Sequence, residues 1–313
     1  MRPIFVNFFV QRCARQGRSA PHAKLILRHA VPVHLSLANW VTVGEKRRLL
    51  GLRAEQFRHP WDREATQALQ QFPGLDGLMR FTLGTAAQEW FYLENMASGV
   101  QVGGNQLPWL YDLLQEACQI LDIDIPQLYI RQNPQPNAYT LAIRGDKPFI
   151  VLHTSLIELL TPLEIQAVLA HELGHLKCEH GVYLTLANLL VLGVAQIPTW
   201  GLWLAQGLQA SLLQWLRCAE LSCDRAALLA VQDAPVVVNV LMKLAGGSPT
   251  LAPQLNGQAF LAQARAYDHQ GWGWLKTTRN LPLTHPLPVL RAQEIDRWSQ
   301  SPTYQRLVAG PEN

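Results

Sequence analysis

Thr161-Pro162-Leu163-Glu164-Ile165-Gln166-Ala167-Val168-Leu169-Ala170-His171-Glu172-Leu173-Gly174-His175 is the stretch on which the reading of this chain turns. Its first four residues have the form of a helix start. Thr161 is the N-cap, Pro162 takes the first helical position, and Glu164 stands at the third, where its carboxylate returns to the N-cap amide. The helix so opened is expected to run to about Glu179. On it, His171 and His175 lie four residues apart on one face, about 6 Å along the axis, so both imidazoles can reach one cation. Two imidazole nitrogens with a carboxylate suit a borderline-soft ion such as Zn²⁺, one per chain, and leave a fourth position for water. Glu172 then stands beside that water rather than on the ion, placed to take its proton and pass it to a leaving amine. The pentad is a weak signal alone; a capped helix following a strand is the setting its chemistry requires.

Elimination points to the remaining ligand. His180 falls nine residues after His171, half a turn round an extended helix, and Glu179 lies about 12 Å along the axis. A three-histidine pattern would need Gly at 178 and His at 181, where the chain has Cys178 and Gly181. Between Glu179 and Glu294 the only other glutamate is Glu220, within Arg217-Cys218-Ala219-Glu220-Leu221-Ser222-Cys223-Asp224-Arg225. Asp224 is one turn on and on the same face, so it can accept the free N–H of a ligand imidazole and fix its tautomer. The competing reading makes Glu220, Asp224, Arg217 and Arg225 ordinary solvated ion pairs on a helix.

Around this centre the pattern is α+β and mainly helical. Apolar residues at three and four spacing predict helices from about Thr42 to Phe57, Asp62 to Gln71 and Pro108 to Leu121. Gln127 to Arg131, Ala138 to Ile143 and Pro148 to Leu152 read as three short strands separated by Pro134, Pro136 and Gly145-Asp146. From Gly181 to Leu216 no residue is charged, and Pro198 breaks the run. Each half is shorter than the roughly 20 residues of a membrane-spanning helix. The expectation is an uncharged helical hairpin, buried or in peripheral contact with a membrane through 181–216. The domain reading is a basic leader at 1–40, a helical region at 41–122 and a catalytic domain at 123–313.

Charge and cysteine usage narrow the class. The net charge is +3, but the first 44 residues hold six basic side chains and no acidic one, leaving 20 basic against 23 acidic in the body. Such a body, without a basic stripe interleaved with aromatics, excludes nucleic acid as a partner. Five cysteines without a C-x-x-C pair read as reduced thiols of an intracellular protein, with Cys218 and Cys223 as buried small hydrophobes.

At this point the chain resembles the zinc metallopeptidases that include the HtpX-type heat-shock proteases and the CAAX prenyl endopeptidases. The resemblance runs from about Ile125 to Arg291. It is carried, in order, by Pro136-Asn137-Ala138-Tyr139, Phe149 to Leu156, His171 to His175, Arg217 to Arg225 with Glu220 and Asp224, and Thr284-His285-Pro286. It implies a zincin-like gluzincin core with Glu220 as third ligand, Asp224 behind a ligand, and a substrate backbone paired to an edge strand around Ala138 to Ile143. His285 matches a histidine kept near the site, which implies oxyanion stabilisation or ligand orientation; a His before Pro equally fits a plain turn. Asn137 likewise fits either substrate-backbone binding or a turn. The function expected is endoproteolysis of polypeptides by metal-activated water. A non-proteolytic chaperone or scaffold keeping a structural zinc is the alternative, and the intact Glu172 argues against it, since a closed structural site needs no base.

Overall fold

The computed structural model describes residues 46–72, 93–94, 96–141, 148–181, 183–184, 202–269 and 287–309. The basic leader at 1–40, His285 and residues 185–201 of the uncharged stretch lie outside them. The described elements are α1 (Ala54–Phe57), α2 (Pro60–Gln70), β1 (Val100–Val102), α3 (Pro108–Leu121), β2 (Gln127–Arg131), β3 (Ala138–Leu141) and β4 (Phe149–His153). They continue with α4 (Thr154–Leu159), α5 (Pro162–Lys177), α6 (Leu202–Val231), α7 (Ala234–Gly246), α8 (Gly257–His269), α9 (Pro288–Ser299) and α10 (Pro302–Ala309).

The signal at Thr161 forms in full. Thr161 N–H donates to Glu164 Oε2 at 2.8 Å and Glu164 N–H donates to Thr161 Oγ1 at 3.4 Å. Lys243 of α7 adds an ion pair to the same Glu164 oxygen at 2.6 Å. The helix they start, α5, is buried on almost every side, including Ile165, Leu169 and Leu173. It therefore lies in the core rather than riding on it. It stops at Lys177, two residues short of expectation. His180 N–H donates to His175 O at 2.9 Å and Glu179 N–H to Leu176 O at 3.1 Å, with Glu179 left-handed at φ 58°. This is a Schellman cap with glutamate where glycine is usual, and it folds the chain back at once.

The sheet is small and mixed, in the order β1-β2-β4-β3. β2 runs parallel to β4, with Gln127 opposite Phe149, while β3 runs antiparallel to β4, with Ala138 opposite Leu152. Every residue of β4 is buried, as a central strand requires. β1, only Val100-Gln101-Val102, is too short to register as a strand in sequence, yet it pairs antiparallel with β2. β3 has no second strand partner among the described residues, and it packs against α5.

Two expectations change. The helix read from Thr42 to Phe57 is confined, among the described residues, to α1. Residues 46–53 form an irregular link tied to the end of α3, with Leu49 N–H donating to Ile120 O at 2.9 Å and Gly51 N–H to Asp122 Oδ2 at 2.8 Å. Gly51 sits at φ 70°, a turn that ends any helical run, so the spacing of Leu49 and Leu52 reflects two anchors rather than a helix face. Second, the later arm of the expected uncharged hairpin is the start of α6, a continuous helix of 30 residues. Its Leu208, Leu212 and Trp215 bury against Leu69, with Ala65 and Phe72, so this face turns toward α2. Among the described residues no helix is long and apolar enough to cross a membrane.

The most extensive helix contact is between α5 and α6. Gly174 makes it possible, since a Cβ there would lie 2.9 Å from Cys223 Cα and 2.9 Å from Ala226 Cβ. Two backbones approach closely where one presents no side chain.

Candidate metal centre

That close approach carries Glu220, one turn before Cys223 on α6, to the paired histidines of α5. His171 Nε2 lies 3.4 Å from Glu220 Oε2, and His175 Nε2 lies 3.5 Å from Glu220 Oε1. Ligand atoms held about 2.1 Å from one tetrahedral ion stand about 3.4 Å apart, so these separations match donors sharing an ion. The rings of His171 and His175 are 5.3 Å apart at 77°. Glu220 is buried, which excludes the solvated ion-pair reading of that residue.

Both imidazoles are held from behind. His171 Nδ1 is 3.0 Å from Asp224 Oδ1, and Asp224 is gripped by Arg291 through Nε at 2.7 Å and Nη2 at 2.6 Å. Arg291 Nη1 also lies 3.2 Å from Glu220 Oε2, so one guanidinium orients both carboxylates of α6. His175 Nδ1 faces His180 Nδ1 at 3.2 Å, and His180 Nε2 lies 3.1 Å from Asp62 Oδ2 on α2. His180 does not lie half a turn round α5; the cap at Glu179 turns it back onto His175.

The electrostatics favour a cation. Burial alone would hold the His171 pKa down, but Glu220 and Asp224 outweigh it and raise it to about 10. Burial pushes the Asp224 carboxyl up, while Arg291 and then His171 hold it below the usual range. Burial likewise opposes the charge on Arg291, and Asp224 and Glu220 more than restore it. Burial holds His180 down to about 4 in spite of Asp62. The buried carboxylates of Glu220 and Asp224 thus meet Arg291 and the His171 imidazole at one place, where a bound cation can stand in for the imidazole proton.

Cys223 is the other donor near this pair, with its sulfur within 4.8 Å of histidine nitrogens. Glu220 is the better candidate for third donor, because its two carboxylate oxygens each face one Nε2 atom. Cys223 Sγ instead lies 3.8 Å from His180 Nδ1, the atom that meets His175 Nδ1, and burial pushes its thiol well above the ordinary value.

Glu172 is buried beside the two histidines, and Thr140 Oγ1 of β3 donates to its Oε2 at 2.6 Å. The edge strand thus touches the carboxylate next to the histidine pair. Ala138 begins that strand, and the carbonyl of Asn137 accepts from His153 N–H at 2.9 Å, extending the ladder by one residue. His285 cannot be placed, since it lies outside the described residues. Four residues escaped the sequence reading: Arg291, Asp62, His180 as a support, and Thr140. Their only sequence sign is polarity inside apolar helical or strand patterns, and the partners that bury them are distant in the chain.

The family model described as Peptidase family M48 matches residues 105–299. "Plastoglobule-localized metallopeptidase 48, chloroplastic" of Arabidopsis thaliana is 56% identical over 262 residues, covering 82% of this chain and 76% of that protein. "Protease HtpX homolog 2" of Methanosarcina mazei is 28% identical over 188 residues, 51% of this chain and 64% of that protein. The protein of the same name in Methanosarcina acetivorans is 35% identical over 106 residues, 33% of this chain and 36% of its own length. No solved structure matches the chain.

Proposed function

This chain belongs to peptidase family M48 and is a metallopeptidase, and from that premise we propose a zinc-dependent endopeptidase with His171, His175 and Glu220 as ligands and Glu172 as general base. The observation that carries the reading is the pair of Nε2-to-carboxylate separations, 3.4 and 3.5 Å, at one buried point. Two imidazoles and one carboxylate are a donor set that zinc takes with an open position. When bound, the ion supplies a Lewis acid for the scissile carbonyl and the attacking water.

The chain's own groups do the rest. Glu172, held by Thr140, accepts a proton from the attacking water and returns it to the departing amine. The edge of β3 away from β4, from Ala138 with Asn137 before it, is the proposed place for an extended polypeptide to add as a strand. Asp224 keeps His171 in the tautomer that turns Nε2 inward. His285 is proposed for oxyanion stabilisation or ligand orientation, and the core is proposed to be zincin-like. For location the reading is a reducing, intracellular compartment, since the four described cysteines are free, with 181–216 as the segment for peripheral membrane contact.

The test is a pair of variants measured for bound metal and peptide cleavage. Glu172→Gln should keep its zinc and lose cleavage by about 10²- to 10⁴-fold. Glu220→Gln should lose the zinc itself. Full cleavage by metal-loaded Glu172→Gln refutes the base, and unchanged zinc in Glu220→Gln refutes the ligand. Chelator-insensitive turnover of unfolded casein would remove the metal from the mechanism.

A further inference from the structure

Resting on the zinc reading above, we propose that His180 and Asp62 form a positioning relay that fixes the tautomer and ring orientation of His175. The argument needs only the bonding capacity of a neutral imidazole, which has one N–H and one lone pair. His180 Nε2 faces Asp62 Oδ2 at 3.1 Å. An ionised carboxylate only accepts, so the His180 proton is on Nε2 and its Nδ1 carries the lone pair. The atom facing that lone pair at 3.2 Å is His175 Nδ1, which must therefore donate. With its proton on Nδ1, His175 has a free lone pair on Nε2, the atom 3.5 Å from Glu220 Oε1. Between neutral imidazoles, any other assignment sets two lone pairs or two protons against each other at hydrogen-bond distance.

Asp62 is built for this role. It is fully buried and accepts from Arg58 Nε at 2.8 Å, Arg58 Nη2 at 3.1 Å, Ser222 Oγ at 2.6 Å and Thr66 Oγ1 at 3.2 Å. Ser222 lies on α6 between Glu220 and Asp224, so the same helix that supplies the third ligand also clamps the foot of the relay. Asp62, Cys178 and His180 bring donor atoms within 4.8 Å of one another, which invites a second metal site. The Arg58 guanidinium already occupies the carboxylate, and both His180 nitrogens are committed, so the cluster is a support and not a second centre. The two ligand histidines are thus held differently. Asp224 reaches His171 directly, whereas His175 is reached through a histidine that the Glu179 cap turns back and a carboxylate on α2. Asp62 lies outside residues 105–299 matched by the family model, so part of the metal site's support comes from the helical region ahead of it.

The test begins with the intact zinc-loaded protein carrying ¹⁵N-labelled histidine, in which long-range ¹⁵N–¹H correlations report tautomers. The relay requires His180 protonated at Nε2 and His175 at Nδ1; His180 protonated at Nδ1 overturns it. Two variants then separate the arms. In His180→Gln the amide reaches toward Asp62 but loses the atom that meets His175. In His180→Asn the side-chain oxygen takes the place of Nδ1 and loses Asp62. The expected result is a zinc affinity about 10- to 100-fold lower in His180→Gln, with a smaller loss in His180→Asn. The visible spectrum of the cobalt-substituted protein should change in the same order. Equal affinities and identical cobalt spectra in folded variants overturn the relay, because mere packing would leave both unchanged. Where His180→Gln does not fold, the tautomers of the wild type decide alone. A wild type that binds neither zinc nor cobalt stoichiometrically overturns the zinc reading and the relay together; full metal with the wrong tautomers overturns the relay only.

Discussion

Replacing Gly174 by alanine sets a methyl group between the two helices that build the proposed metal centre. The new Cβ would stand 2.9 Å from Cys223 Cα and 2.9 Å from Ala226 Cβ, against an ordinary contact that begins at 3.4 Å. Cys223 Cα is backbone, so no rotamer change relieves the clash, and α6 must retreat by about half an ångström. Glu220 rides on the same helix, and its oxygens would move from 3.4 and 3.5 Å to about 4 Å from the imidazole nitrogens. Metal sites tolerate about 0.2 Å in ligand distance, so the centre loosens well beyond its tolerance. Overpacking costs about 1 to 3 kcal/mol, while alanine in place of glycine inside a helix returns about 1 kcal/mol. The expected phenotype is therefore divided: a metal-free unfolding midpoint lowered only slightly, and a zinc affinity at least about tenfold weaker, roughly 1.4 kcal/mol. Urea unfolding of the metal-free protein and competition with a chromophoric chelator measure the two separately. A folded Gly174→Ala protein with native zinc affinity would refute the claim that helix spacing sets the site.

Other perturbations test single links. Thr140→Val removes the 2.6 Å hydrogen bond to Glu172 at nearly constant shape. A bond to a charged group is worth about 1.5 to 3 kcal/mol, so kcat should fall about tenfold or more with zinc content unchanged; an unaltered kcat would exclude Thr140 from orienting the base. Glu179→Gly relieves a left-handed residue at φ 58° and should stabilise the protein by about 1 kcal/mol, read as a higher urea midpoint; a lower midpoint would show that Glu179 makes a contact of its own. Acid should weaken the metal-free protein. His180 titrates at about 4 in the folded chain against 6.5 when unfolded, so the unfolded state binds the proton first. That contribution is whole above pH 6.5 and is lost as pH falls toward 4, up to about 3 kcal/mol, with the depressed His59 acting in the same direction. A urea midpoint that stays flat between those pH values would contradict a buried neutral His180.

Local signals with a mechanism were legible, and those that depend on a distant partner were not. Thr161, Pro162 and Glu164 define a helix start within four residues, and that start forms bond for bond. The strands around Gln127 and Phe149 could be read because their β-branched and aromatic residues sit between turn residues. Residues 46–53 were misread because Leu49 and Leu52 have helical spacing but are buried one at a time against α3, with Gly51 at φ 70° between them. The continuity of α6 was hidden by composition, since the helix changes from uncharged to charged near Arg217 without changing its geometry.

The site divides along the same line. Of the proposed site, His171, Glu172 and His175 stand out in sequence because one helical turn brings them together, and Glu220 because it is the only glutamate between Glu179 and Glu294. Arg291, Asp62 and His180 are legible only after folding, since each is defined by what it neutralises. Arg291 is 9% exposed and forks onto Asp224. Its burial is tolerable only because two carboxylates meet it, and those carboxylates are tolerable only because a guanidinium and two imidazoles meet them. Sequence spacing identifies atoms that can reach an ion. Charge balance among residues from α2, α5, α6 and α9 keeps those atoms buried and correctly protonated, and that balance exists only once the four helices have packed.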